Sequence, residues 1–170
     1  MSSFTAFLVG GRQARVEAER GNVYDHFSVT YEYADGRRGF HMCRQIANCP
    51  FDNSDLVLGT KGRCEINGWG PRHVIEGENP WTFTGDKNDM YQQEHDELFA
   101  SIRSGTPIND GVWMAHSTLT AVMGRMAAYT GQTVTWEQAL QSTDQVVPET
   151  LAFGEIEAAP VAIPGRTKLR

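Results

Sequence analysis

The residues here whose types and spacing could do chemistry are few. Tyr24-Asp25-His26 opens an alternating segment. A carboxylate beside an imidazole can orient the ring and raise its basicity. Adjacent strand residues point to opposite faces, so the alternation predicts that Asp25 and His26 do not bond directly. Arg44-Gln45, followed by Asn48 and Asp52, gathers donors and acceptors at a strand end and the loop after it. Such a group suits polyhydroxyl or carboxylate ligands, and a solvated loop is the plainer alternative. His41 and Cys43 lie two apart, on one strand face. A thiolate nucleophile needs a nearby base, but two packed side chains in a sheet is the simpler reading. In Glu94-His95-Asp96 the period is helical, and successive residues diverge by about 100°. His95 instead shares a face with Tyr91, Leu98 and Ile102, as a core histidine would.

Other signatures are missing. There is no GxGxxG, GxxxxGK[ST], GxSxG, HExxH or EF-hand loop. Gly59-Thr60-Lys61-Gly62 reads as a hairpin turn rather than a phosphate cradle. Cys43, Cys49 and Cys64 form no CxxC pair and no Cys/His cluster, so no metal site is expected. Their odd number suits reduced, packed thiols. The run Arg12, Arg15, Glu17, Glu19, Arg20 reads most simply as a solvated edge.

The elements that must position these residues change period along the chain. Phe4 to Val9 is a short apolar strand. His26 to Tyr33 alternates, with Phe27, Val29, Tyr31 and Tyr33 on one face. Asp35-Gly36 is a turn signal, and Gly39 to Gln45 returns. Asp55–Leu58 and Arg63–Ile66 form a second hairpin. Arg72–Glu76 and Trp81–Thr84 are weaker strands. Then come helices: Met90 to Arg103, capped by Asp89; Val112 to Tyr129, bracketed by Asp110 and Gly131; and a short one opened by the capping box Thr135-Trp136-Glu137-Gln138. Met90, Met114, Met123 and Met126 read as core filler. Pro148, Pro160 and Pro164 mark an extended tail. Strands first and helices after argue for an α+β fold with an open, mostly antiparallel sheet. Helices should pack on one face, leaving the other for association. The expected organisation is one domain over 1–147 with a tail over 148–170.

The chain has 170 residues, a net charge of −6 and 40% hydrophobic residues, an ordinary globular composition. The acidic balance argues against nucleic acid or an anionic membrane as partner. No apolar run approaches the roughly 20 residues of a membrane helix. Met1 to Gly10 has no signal-peptide pattern, so a cytoplasmic location is expected.

Several phrases together resemble a known family. They are Gly10-Gly11-Arg12-Gln13; Gly21-Asn22-Val23-Tyr24-Asp25-His26-Phe27; Cys43-Arg44-Gln45; Gly59-Thr60-Lys61-Gly62; and Tyr91-Gln92-Gln93-Glu94-His95-Asp96. Later ones are Ile102-Arg103-Ser104-Gly105; Ala115-His116-Ser117-Thr118; Gly124-Arg125; Ala127-Ala128-Tyr129-Thr130-Gly131; and Thr135-Trp136-Glu137. In order and spacing they are similar to the C-terminal domain of the glucose-fructose oxidoreductase / inositol dehydrogenase / rhizopine-catabolism (Gfo/Idh/MocA) family, over roughly residues 8 to 168. The resemblance implies an open antiparallel sheet backed by helices. That domain shapes a sugar site and builds the oligomer, while a separate Rossmann domain holds NAD or NADP. The chain lacks the glycine fingerprint, the Glu-Lys-Pro motif and the Asp-x-x-x-His pair of that family, so no catalytic role transfers. No cofactor is expected on this chain alone.

The leading expectation is therefore the substrate-binding and oligomerisation domain of an NAD(P)-dependent sugar or polyol oxidoreductase, inactive without its cofactor domain. Its partners would be a Rossmann domain, a sugar or polyol, and further copies of itself through the open sheet face. A stand-alone sugar-binding or dimerising module is the alternative. A cofactor-free hydrolase or isomerase using His26 or His95 is the third. Arg12, Asp25, His26, Arg44, Gln45, Asn48 and His95 are the candidate substrate-facing residues, chosen for polarity and strand-end position.

Overall fold

The computed structural model describes residues 4–8, 22–148, 150–154 and 159–170; for 4–8 it describes the backbone alone. The fold is α+β, and all strand pairs are antiparallel. In chain order the elements are β1 (Phe4–Leu8), β2 (His26–Tyr33), β3 (Arg38–Arg44), β4 (Ser54–Gly59), β5 (Gly62–Asn67), β6 (His73–Gly77), β7 (Trp81–Thr82), α1 (Met90–Arg103), α2 (Gly111–Thr130), β8 (Val134–Thr135) and α3 (Trp136–Leu140). The strands make two four-stranded sheets, β3-β2-β1-β8 and β4-β5-β6-β7, not a single open one. The chain divides accordingly into two compact units, Met1–Ala47 with Asp110–Arg170, and Asn48–Asn109.

In the first unit, the Asp35-Gly36 turn joins β2 to β3. Gly36 takes φ 84°, which costs a residue without Cβ little. The Asp35 carboxylate accepts from Arg37 N (3.1 Å) and Nε (2.8 Å). The Arg37 backbone N–H and then its side chain hold the Asp35 carboxyl below its usual range. The turn sets the register His26↔Arg44, Phe27↔Cys43 and Val29↔His41. α2 lies on β1 and β2. The core joins Val29 and Tyr31 to Met123, Met126, Ala127, Val134 and Ala139.

The two ends of α2 differ. Its second half buries Met123, Gly124, Met126, Ala127 and Ala128, while Val112, Trp113 and Met114 stay exposed. Gly131, in the left-handed region at φ 69°, ends the helix. Among the described residues the segment from Pro148 onward has no helix or strand, but it is tied down. Tyr24 Oη donates to the Ala162 carbonyl at 2.6 Å, Gly165 N donates to Thr130 O at 2.8 Å, and Leu169 packs on the core.

The second unit is a meander whose two faces differ. Val57, Cys64, Ile75 and Trp81 are successive cross-strand partners and form one apolar row. Val57, Ile75 and Trp81 are exposed and Cys64 is half-buried. On the other face Arg63 Nε meets Glu76 Oε2 at 2.7 Å and Arg72 Nε meets Glu65 Oε1 at 3.0 Å. α1 begins at Asp89, whose side chain accepts from Tyr91 N and Gln92 N. Its stripe of Tyr91, Leu98, Phe99 and Ile102 is exposed, where the helical period suggests a buried face. No described helix is long and apolar enough to cross a membrane.

Candidate functional site

The open end of the first sheet gathers four of the seven candidate residues. β2 starts at His26, so Asp25 stands just before the strand, where the alternation of faces does not yet apply. The expectation that the two side chains stay apart is therefore corrected. Asp25 Oδ1 lies 2.6 Å from His26 Nδ1. Both side chains keep about a third of their surface, at 35% and 30% exposure. Arg44 is the cross-strand partner of His26, and Gln45 N donates to Asp25 O at 2.7 Å. Residues able to accept, donate and carry charge of both signs thus stand on paired strand ends. Chemically, such a set can hold hydroxyl groups and orient one of them against an imidazole.

The remaining candidates fall elsewhere. Arg12, with the charged run that contains it, lies outside the described residues. Asn48 takes φ 63°, the left-handed region that asparagine tolerates better than most residues, and belongs to the second unit. His95 is also in the second unit. It is exposed on α1 rather than in a core, and its Nδ1 lies 2.7 Å from Tyr91 O.

The other face of the first sheet carries a groove of about 1320 Å³. Phe27, His41 and Cys43 line its sheet side, and Arg125 and Tyr129 its helix side. Arg125 lies 5.6 Å from the Tyr129 ring centroid and reaches Asp144 Oδ2 at 3.3 Å. Sequence reasoning placed His41 and Cys43 on one face, as observed, but missed this pair. Arg125 and Tyr129 are one helical turn apart, a legible signal. Asp144 is 19 residues after Arg125, in an irregular segment where no period points to it. All three cysteines are free; Cys43 and Cys49 are exposed rather than packed.

A doubly wound dinucleotide site is built from parallel strands with helical crossovers and a glycine-rich turn at a helix N-terminus. Here every strand pair is antiparallel and the sequence has no glycine fingerprint. Among the described residues no three or more His, Cys, Asp or Glu side chains cluster as a metal site. No protein-family model, curated protein or solved structure matches the chain.

Proposed function

We propose that this chain is the substrate-binding and assembly part of an NAD(P)-dependent sugar or polyol oxidoreductase. The nicotinamide would be carried by a separate dinucleotide-binding domain. The observation that carries this reading is the juxtaposition of Asp25, His26, Arg44 and Gln45 at one sheet end. It stands within the α+β, antiparallel architecture that the family resemblance implies. These residues bind and orient hydroxyls, and no redox step is assigned to them.

The assembly part of the proposal rests on the second sheet. The apolar row from Val57 to Trp81 presents an exposed face suited to a second copy. A cyclic symmetric pair would bury the same patch on both copies.

Thermal melts of the chain with a panel of cyclic polyols, aldoses and aldonates test the ligand. A ligand that binds only the folded state raises the melting temperature by mass action. At least one member of the panel should do so, and His26→Ala and Arg44→Ala should each abolish the rise. A panel that leaves the melt unmoved, or a rise that survives both substitutions, contradicts the proposal.

A further inference from the structure

We infer that the groove between the first sheet and α2 binds an acyl-chain anion, its apolar body along the groove and its charged head at Arg166 and Lys168. This goes beyond the polyol reading and uses none of its four residues. The chain as a whole carries 21 acidic residues against 15 Lys and Arg. The groove reverses that balance. Arg125, Arg166, Lys168 and Arg170 line it, and among the described residues Asp144 is the one acid that does. Arg125 is already engaged by Asp144 at 3.3 Å and by the Tyr129 ring. Arg166 and Lys168 are exposed and make no ion pair among the described residues. A local excess of cations within walls of low dielectric draws in an anion.

The shape and lining of the groove say what body that anion carries. Its volume of about 1320 Å³ exceeds the roughly 300–1,000 Å³ of compact small-molecule pockets, so an elongated ligand suits it better than a single ring. Val29 and Met126 are buried against it, while Val23, Val146 and Val147 line it and stand exposed. An aliphatic chain would remove that surface from water. The aromatic rings are committed to one another. Phe27 and Tyr129 stack with centroids 6.1 Å apart, and Tyr24 lies 4.6 Å from Tyr129. They form a wall, not a slot for a flat ligand. The apolar surface is recessed, so the occupant is a single free molecule and not a lipid sheet.

The full chain is titrated calorimetrically with hexanoate, octanoate and decanoate below their micellar concentrations, and with decan-1-ol. Two added methylenes should tighten binding roughly tenfold, close to the gain from taking two CH2 groups out of water. Decanoate should bind more tightly than decan-1-ol. Arg166→Gln combined with Lys168→Gln should weaken decanoate roughly fivefold, the scale of exposed ion pairs, and leave decan-1-ol unchanged. Alkylation places the ligand. Cys43 lines the groove and Cys49, in the second unit, does not, and both are exposed. Decanoate should slow the reaction of Cys43 with iodoacetamide in proportion to occupancy and leave Cys49 unchanged, as read by peptide mass spectrometry. The inference is overturned by an absence of decanoate binding, by affinity that does not rise with chain length, or by decan-1-ol bound as tightly as decanoate. A Cys43 rate unmoved at saturation, or a decanoate affinity unmoved by the double substitution, overturns it equally. None of these outcomes touches the polyol reading, whose residues lie outside the groove lining.

Discussion

At Gly124 a side chain has no room. A methyl added there would overlap Tyr31 Oη, whose ring is buried between β2 and α2 and which donates to Thr120 O at 3.2 Å. Alanine gains helix propensity, roughly 1 kcal/mol over glycine, but overpacking a core costs about 1–3 kcal/mol. Gly124→Ala should therefore destabilise the protein by about 1 kcal/mol in urea unfolding, and a stabilised variant would mean the ring yields freely. Tyr31 also sets an alkaline limit. Burial first, then Tyr33 and Cys43, push its phenol above the ordinary value of about 10. A folded-state pKa above the unfolded one gives stability that is whole below the ordinary value and lost as pH rises through the folded one. Stability should thus fall from about pH 10 upward, and Tyr31→Phe should flatten that fall. The polar residues of the Asp25–His26 site were legible as types and strand-end positions. Their direct bond was not, because one residue's displacement from a strand start cancels the rule of alternating faces.

The elements hold where several local signals agree. Thr135 caps α3 by accepting from Gln138 N at 3.2 Å, and Gln138 Oε1 accepts from Thr135 N at 2.8 Å. Thr135→Ala should cost about 1 kcal/mol. Gly131 serves both a left-handed helix end and the seating of the tail, since a Cβ there would crowd Pro164 and Gly165 N. Gly131→Ala should accelerate hydrogen exchange at Gly165 N–H, which bonds Thr130 O in the wild type. Unchanged exchange would show that the tail seats independently of that turn. Along α2, Met123→Ala should cost about 2–5 kcal/mol, whereas Trp113→Ala should stay within about 0.5 kcal/mol, because only the second half of the helix is covered. The hydrophobic pattern of His26–Tyr33, the turn at Asp35-Gly36 and the capping box carried their elements in full view, each being set by neighbours in sequence. Burial was harder to read. The period of α1 marks an apolar stripe, but period alone does not say what covers it, and on this chain the stripe is exposed.

For the molecule as a whole, division into two sheets follows from pairings that span many residues, such as Thr5 with Thr135, and local patterns cannot specify these. On the proposed reading, the exposed row from Val57 to Trp81 is the surface through which copies of this chain associate. Light scattering should give a mass above that of the monomer, and Val57→Asp should lower it by placing a charge in the buried patch. A monomeric wild type contradicts the assembly reading. The central claim is that these residues hold the polyol and leave the nicotinamide to another domain. Equilibrium dialysis of the chain against labelled inositol and labelled NAD+ tests it most directly. Retention of inositol, lost in His26→Ala, with no retention of the nucleotide is the predicted result. Retention of NAD+ by this chain alone would contradict it.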